Sequence, residues 1–103
     1  YYCMNVVTEP EDHASAVLLR AVEPVRNITE RTSGPGLLCK AMHIDRRHQG
    51  HDLESDDLYI AHADSAEEFS TIARPRIGVD YAGKWAEEPL RFYIQDNPFV
   101  SRK

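Results

Sequence analysis

Apolar residues come in short runs divided by polar turns, and the two clearest runs lie near the start. Tyr1-Tyr2-Cys3-Met4-Asn5-Val6-Val7 is β-prone, and Ala16-Val17-Leu18-Leu19-Arg20-Ala21-Val22 repeats that character before Glu23-Pro24 closes it. The polar stretch from Thr8 to Ser15 joins them, so residues 3–7 and 16–22 are expected to form an antiparallel pair. An arginine inside so apolar a run needs an explanation, because a buried guanidinium requires partners. Arg20 either points outward from a sheet edge or faces a polar site. Ser33-Gly34-Pro35-Gly36 then opens a helix through about Ile44. Ser33 or Gly34 can cap it, Pro35 suits its first turn, and Leu37, Leu38, Ala41 and Met42 form its apolar stripe. Leu58-Tyr59-Ile60-Ala61 reads as a third strand. Ile72 to Val79, holding Pro75 and Gly78, reads as an extended edge segment. Asp80 to Gly83 is a turn, Lys84 to Glu88 a helical turn, and Leu90 to Ile94 a last strand closed by Asp96-Asn97-Pro98. The pattern is that of a mixed α/β (α+β) chain with antiparallel character.

At 103 residues and 11.8 kDa the chain supports one modest core, hence one domain or part of one. Hydrophobic residues at 42% and charged residues at 28% exclude wholesale disorder. No apolar run approaches the roughly 20 residues of a membrane span, and no signal peptide is visible. Cys3 and Cys39 give no disulfide framework and point to a reducing compartment. Asn27-Ile28-Thr29 would be a glycosylation acceptor only in a secreted chain. Chain ends are usually polar and frayed, so an apolar start at Tyr1 is expected to be a strand cut from something longer.

The net charge of −5 and pI near 5.4 argue against binding nucleic acid by bulk charge. The charges are segregated, however. Between His48 and Ala73 there is no Lys or Arg, while Asp52, Glu54, Asp56, Asp57, Asp64, Glu67 and Glu68 lie there. Basic residues gather at Arg46-Arg47, at Arg74 and Arg76, and at Arg102-Lys103. This permits one acidic and one basic face, beside the plainer reading of a solvated acidic loop with scattered arginines. His43, His48 and His51, near Asp45 and Asp52, lack metal-ligand spacing and read as surface histidines. Neither cysteine has a neighbouring pair to make a zinc knuckle or an activated thiol. There is no Walker loop, no Gly-x-Ser-x-Gly elbow and no Rossmann fingerprint. Glu87-Glu88 beside Trp85 reads as a solvated pair.

Taken in order, the segments say more than each does alone. Met4-Asn5-Val6, Val17 to Pro24, and Ser33-Gly34-Pro35-Gly36-x-Leu38-Cys39-Lys40-Ala41 resemble the alkyladenine (3-methyladenine) DNA glycosylase family. So do Arg76-Ile77-Gly78-Val79, Ala82-Gly83, Pro89-Leu90-Arg91-Phe92-Tyr93 and Val100-Ser101, with Asp45 to Ser70 the vaguest part. The resemblance implies that residues 1–103 are the C-terminal part of one such domain. Its fold would be a single α+β domain with a curved antiparallel sheet and flanking helices, here lacking its N-terminal half. It also implies an intracellular monomer that excises damaged purines from double-stranded DNA in base-excision repair, with no cofactor, no metal and no membrane. The location would be cytoplasm or nucleoid in a bacterium and nucleus in a eukaryote.

Arg20 matches the family's water-positioning arginine, Ile77 the residue whose backbone carbonyl helps hold that water, and Asn5 the asparagine that bears on which purines enter. Tyr1, Gly34 and Gly36 fall where the family meets DNA. Arg46 and Arg76 are phosphate candidates by charge. The family's catalytic Glu, the Tyr and His that stack on the flipped base, and the Tyr that fills the vacated space lie upstream of Met4-Asn5-Val6 and have no counterpart here. Leu37 stands where a Lys is usual, and Val25 to Thr32 is shorter than the usual connection. The chain alone is therefore expected to be inactive and unstable, with the strand at Tyr1 to Val7 short of neighbours. A non-catalytic DNA- or protein-binding remnant of the family is the alternative, and an unrelated interaction domain the remaining one.

Overall fold

The computed structural model describes residues 1–63 and 68–102, so Asp64 and Glu67 of the acidic stretch and Lys103 of the basic tail lie outside the described residues. The chain forms two compact units, residues 1–62 with 99–103, and residues 63–98. Both are antiparallel in their strand pairing, and the class is mixed α and β. No helix among the described residues is long and apolar enough to cross a membrane.

In the first unit β1 (Met4–Val7) pairs with β2 (Ala16–Leu19), placing Met4 opposite Leu19 and Asn5 opposite Leu18. The Thr8 amide, donating to the Ser15 carbonyl at 3.1 Å, carries the ladder one step toward the turn. β2 stops at Leu19 rather than Val22. Beyond it, Ala21 makes an isolated bridge with Ser33, and the buried Thr32 hydroxyl donates to the Val22 carbonyl at 2.6 Å. The strand thus runs into a clasp that closes the base of the 23–31 loop.

Helix α1 (Pro35–Ala41) begins as its sequence predicts, with Gly34 as N-cap and Pro35 in the first turn. It ends three residues before Ile44. His43 takes a left-handed φ of 57°, its amide bonds back to the Lys40 carbonyl, and the Ile44 amide reaches the Cys39 carbonyl at 2.8 Å. This is a Schellman cap with His in the place glycine usually holds, sealed by the contact of Ile44 with Cys39. The buried arc is Leu38, Cys39 and Ala41. At about 100° per residue, burying Cys39 beside Leu38 turns Leu37 to the rim, where it is 38% exposed instead of joining the stripe. Leu38, Cys39 and Ile44 form the core, with Met4 and Leu19 packed on it from the sheet and Val22, Met42 and Leu58 around it.

The strand expected at Leu58 to Ala61 is absent. Its place is taken by a lone Glu54–Tyr59 bridge. The local side chains outcompete a ladder here. Ser55 Oγ and His51 Nε2 meet the Leu58 carbonyl at 3.0 and 3.1 Å, and the Asp57 carboxylate accepts from the Leu58 amide.

In the second unit β3 (Thr71–Arg74) pairs with β4 (Arg91–Ile94), Ile72 opposite Tyr93 and Arg74 opposite Arg91. Pro75, lacking an amide hydrogen, follows the last paired residue, so only the first part of the Ile72-to-Val79 segment joins the ladder. A 3-10 helix over Asp80–Ala86, broken at Gly83, replaces the expected turn and helical turn. The last strand starts at Arg91 rather than Leu90, and Asp96 turns the chain after it with a φ of 61°.

Candidate nucleic-acid interface

The register of the first hairpin decides what its polar residues can do. Directly opposed residues share a face, so Met4 and Leu19 take the side that packs on the α1 core. Asn5 and Leu18 take the other side. Arg20, two residues beyond Leu18, returns to the Asn5 side as its diagonal neighbour, a spacing of roughly 7–8 Å between backbones. Asn5 is exposed and Arg20 half-buried. Among the described residues Arg20 makes no hydrogen bond or ion pair. A guanidinium with its five donors uncommitted, next to an amide on an otherwise apolar hairpin, is equipped to hold water, a carbonyl or a phosphate.

Tyr1, Gly34 and Gly36 meet in a cleft of about 630 Å³, which Tyr2, Leu37 and Arg47 also line. The Tyr1 ring lies over Gly36 so closely that a Cβ there would stand 2.6 Å from Tyr1 Cδ2. Glycine at position 36 is thus what lets the ring approach the helix backbone. Arg46 and Arg47 sit on a 3-10 turn (Arg46–His48) capped by Asp45, whose carboxylate accepts from the Arg47 amide at 3.0 Å while the Asp45 amide donates to His48 Nδ1 at 3.1 Å. The Arg47 guanidinium reaches the same carboxylate at 2.9 Å, holding that carboxyl below its usual range. Arg46 is exposed and its side chain makes no bond or ion pair among the described residues, so of the two it is the one with its charge available.

His43 is exposed as its loop setting implied, but His48 and His51 are not free surface groups. His48 closes a cap, and His51 bonds the Ser55 hydroxyl at 2.9 Å; their side chains are 22% and 17% exposed. Ser55 in turn donates to Asp57, lowering that carboxyl below its ordinary value. No three His, Cys, Asp or Glu side chains among the described residues converge as a metal site. Cys39 is buried, and burial, with the nearby Cys3 thiol, pushes its own thiol up, away from the nucleophilic thiolate. Glu11 and Asp12 lie exposed between β1 and β2.

In the second unit, Arg76 and Ile77 occupy the turn between β3 and the 3-10 helix. Both are half-buried, and Arg76 Nε is buried without a partner. Gly78 takes a left-handed φ of 73°. Arg91, in the sequence only one residue of a motif, is the buried charged residue among the described residues of this unit. The signal was the one that singled out Arg20, an arginine in an apolar strand.

The chain matches the family model described as methylpurine-DNA glycosylase over residues 1–98. It is 60% identical over 102 residues to a protein of Legionella pneumophila (strain Corby) named "Putative 3-methyladenine DNA glycosylase", covering 99% of this chain and 56% of that one. Proteins with the same name from Anaeromyxobacter sp. (strain Fw109-5) and Alkaliphilus oremlandii (strain OhILAs) are 53% and 42% identical, over 98% and 100% of this chain and 52% and 60% of theirs. The chain therefore spans about half the length of the curated relatives it matches.

Proposed function

Because the chain belongs to the methylpurine-DNA glycosylase family, we propose that its protein excises alkylated or deaminated purines of the 3-methyladenine type from duplex DNA, as a hydrolase of the N-glycosidic bond in base-excision repair. The observation that carries this reading is the shared face of Asn5 and Arg20, turned from the helix-packed side of an apolar hairpin.

The chemistry assigns each group a task. A damaged base must leave the stack before the sugar carbon can be reached. An alkylated purine is cationic and departs with little acid help, so the remaining work is to place and activate a water, which needs a carboxylate general base. For this the first unit offers Arg20 as a donor to a water oxygen, and the second offers the Ile77 carbonyl as an acceptor of a hydrogen bond from a water O–H. Asn5 crowds the exocyclic amino group of normal guanine and so narrows what enters. Tyr1, Gly34, Gly36, Arg46 and Arg76 meet the DNA backbone, with the two arginines supplying its salt-dependent attraction. The carboxylates nearest Asn5 and Arg20 in sequence are Glu9, Glu11 and Asp12 in the connecting turn and Glu23 after the second strand; all lie exposed, so the general base is assigned to none of them.

Base release from an alkylated duplex, measured for the full-length protein and for residues 1–103 alone, tests the reading. Release by the full-length protein and none by residues 1–103 is expected. Release by the 103-residue chain would show that it holds its own general base, and release by neither would remove the glycosylase activity.

A further inference from the structure

A buried arginine in a strand must be satisfied, and Arg91 is 9% exposed. It stands directly opposite Arg74, a like charge that would repel it across the pair. Its side chain turns away to the chain end of β3. Nε donates to the Pro75 carbonyl at 3.0 Å, and the guanidinium carbon lies 5.3 Å from the Tyr93 ring centre, on the same face of β4.

The bond lands where a turn leaves the ladder. Pairing fixes the chain as far as Arg74, and the proline ring fixes φ at position 75. The next free rotation is ψ of Pro75, which swings the peptide leading to Arg76 and Ile77. Arg91 holds the carbonyl of that peptide. At the far end Gly78 is left-handed, and the Val79 carbonyl accepts from the Ala82 amide at 2.8 Å. The direction of the Ile77 carbonyl is therefore set between one anchor made by Arg91 and another made by the Gly78–Ala82 backbone. Arg76 does not hold the turn through its own Nε, which has no partner.

We infer that Arg91 is a positioning residue for the Ile77 carbonyl, acting through the Pro75 carbonyl; this rests on the reading that Ile77 helps hold the attacking water. Arg91 touches neither water nor DNA in this scheme. It sets the aim of a group that does, and a misplacement of about 1 Å in such a group is worth on the order of 100-fold in rate.

The test uses the full-length protein with Arg91→Lys, which keeps the charge but not the planar Nε donor, and Arg91→Met, which keeps most of the apolar stem. Amide hydrogen exchange at residues 76–78 should accelerate at least tenfold in both variants, while the amides paired between β3 and β4 keep their protection. In the unaltered protein the Arg91 Nε proton should itself exchange slowly. Single-turnover base release should fall 10- to 100-fold with duplex affinity within twofold, and Lys should not rescue it. Unchanged exchange at 76–78, or a fast-exchanging Nε proton, overturns the inference whatever the activity. Exchange that changes while base release stays constant separates Arg91 from the reaction and overturns it too. A wild type that releases no base condemns the glycosylase reading, whereas the exchange results still decide whether Arg91 holds the turn.

Discussion

In the unit of β1, β2 and α1, the buried residues include Leu38, Cys39, Ala41 and Ile44; among the described residues of the β3–β4 unit the buried one is Arg91. The first unit excludes water from side chains on a helix and sheet, and burial at roughly 25 cal/mol per Å² holds it. The second has little to bury: Phe92 is 63% exposed on the outer face, and order comes from ladder bonds, a guanidinium and tight turns. The proposed chemistry is distributed in the same way. The first unit presents side chains, Asn5 and Arg20, from a packed support, and the second presents a backbone carbonyl from a turn. A side chain is aimed by the face of its strand, whereas a carbonyl is aimed only by torsions, so the second unit needs a positioning bond that the first does not.

Leu38→Ala should have the largest effect on the first unit. Leu38 is fully buried at the centre of the α1 core, and its truncation should cost about 2–5 kcal/mol. Urea unfolding should show the loss, and exchange at the β3–β4 amides should lag behind that at β1–β2. A loss below about 1 kcal/mol would mean that burial does not hold the first unit.

Thr32→Val tests the clasp with less loss of volume. It leaves the Val22 carbonyl without its donor in a buried site and should cost about 1–3 kcal/mol, read as a lower unfolding midpoint. Gly36→Ala should have a smaller effect, and of mixed sign. Alanine favours the helix by up to about 1 kcal/mol, but its Cβ displaces the Tyr1 ring. The midpoint should hold or rise while duplex affinity falls; unchanged affinity would remove Tyr1 and Gly36 from the DNA surface.

The smallest effect is electrostatic. Asp45 and Asp57 have carboxyls lowered in the folded state, Asp45 chiefly by its bond from Arg47 and Asp57 by that from Ser55. A lowered carboxyl adds stability above its unfolded pKa, near 4, and loses it as pH falls through the folded value. Asp45→Asn should therefore flatten the acid limb of a stability–pH profile and leave the shape above pH 5 unaltered. An identical acid limb would show that the exposed pair adds nothing.

Much of the local order was legible in the residues. Short apolar runs predicted both strands of the first hairpin, and Gly34-Pro35 announced the start of α1. What was not legible depended on side chains bonding to nearby backbone. His43 in a left-handed cap ended the helix early, and His51, Ser55 and Asp57 tied up the segment that read as a strand at Leu58 to Ala61. Such bonds follow no period, so hydrophobic patterning misses them. For the site, the oddity of Arg20 was visible, but the face it shares with Asn5 required the register. The role of Arg91 required the position of the Pro75 carbonyl.

The most direct test of the proposed chemistry is single-turnover base release by the full-length protein carrying Arg20→Ala, on a duplex with one alkylated adenine. Release should fall on the order of 100-fold or more, as when a preorganised donor at a reaction centre is removed, with duplex affinity nearly unchanged. An unchanged rate would remove Arg20 from the reaction and, with it, the hairpin face on which this account rests.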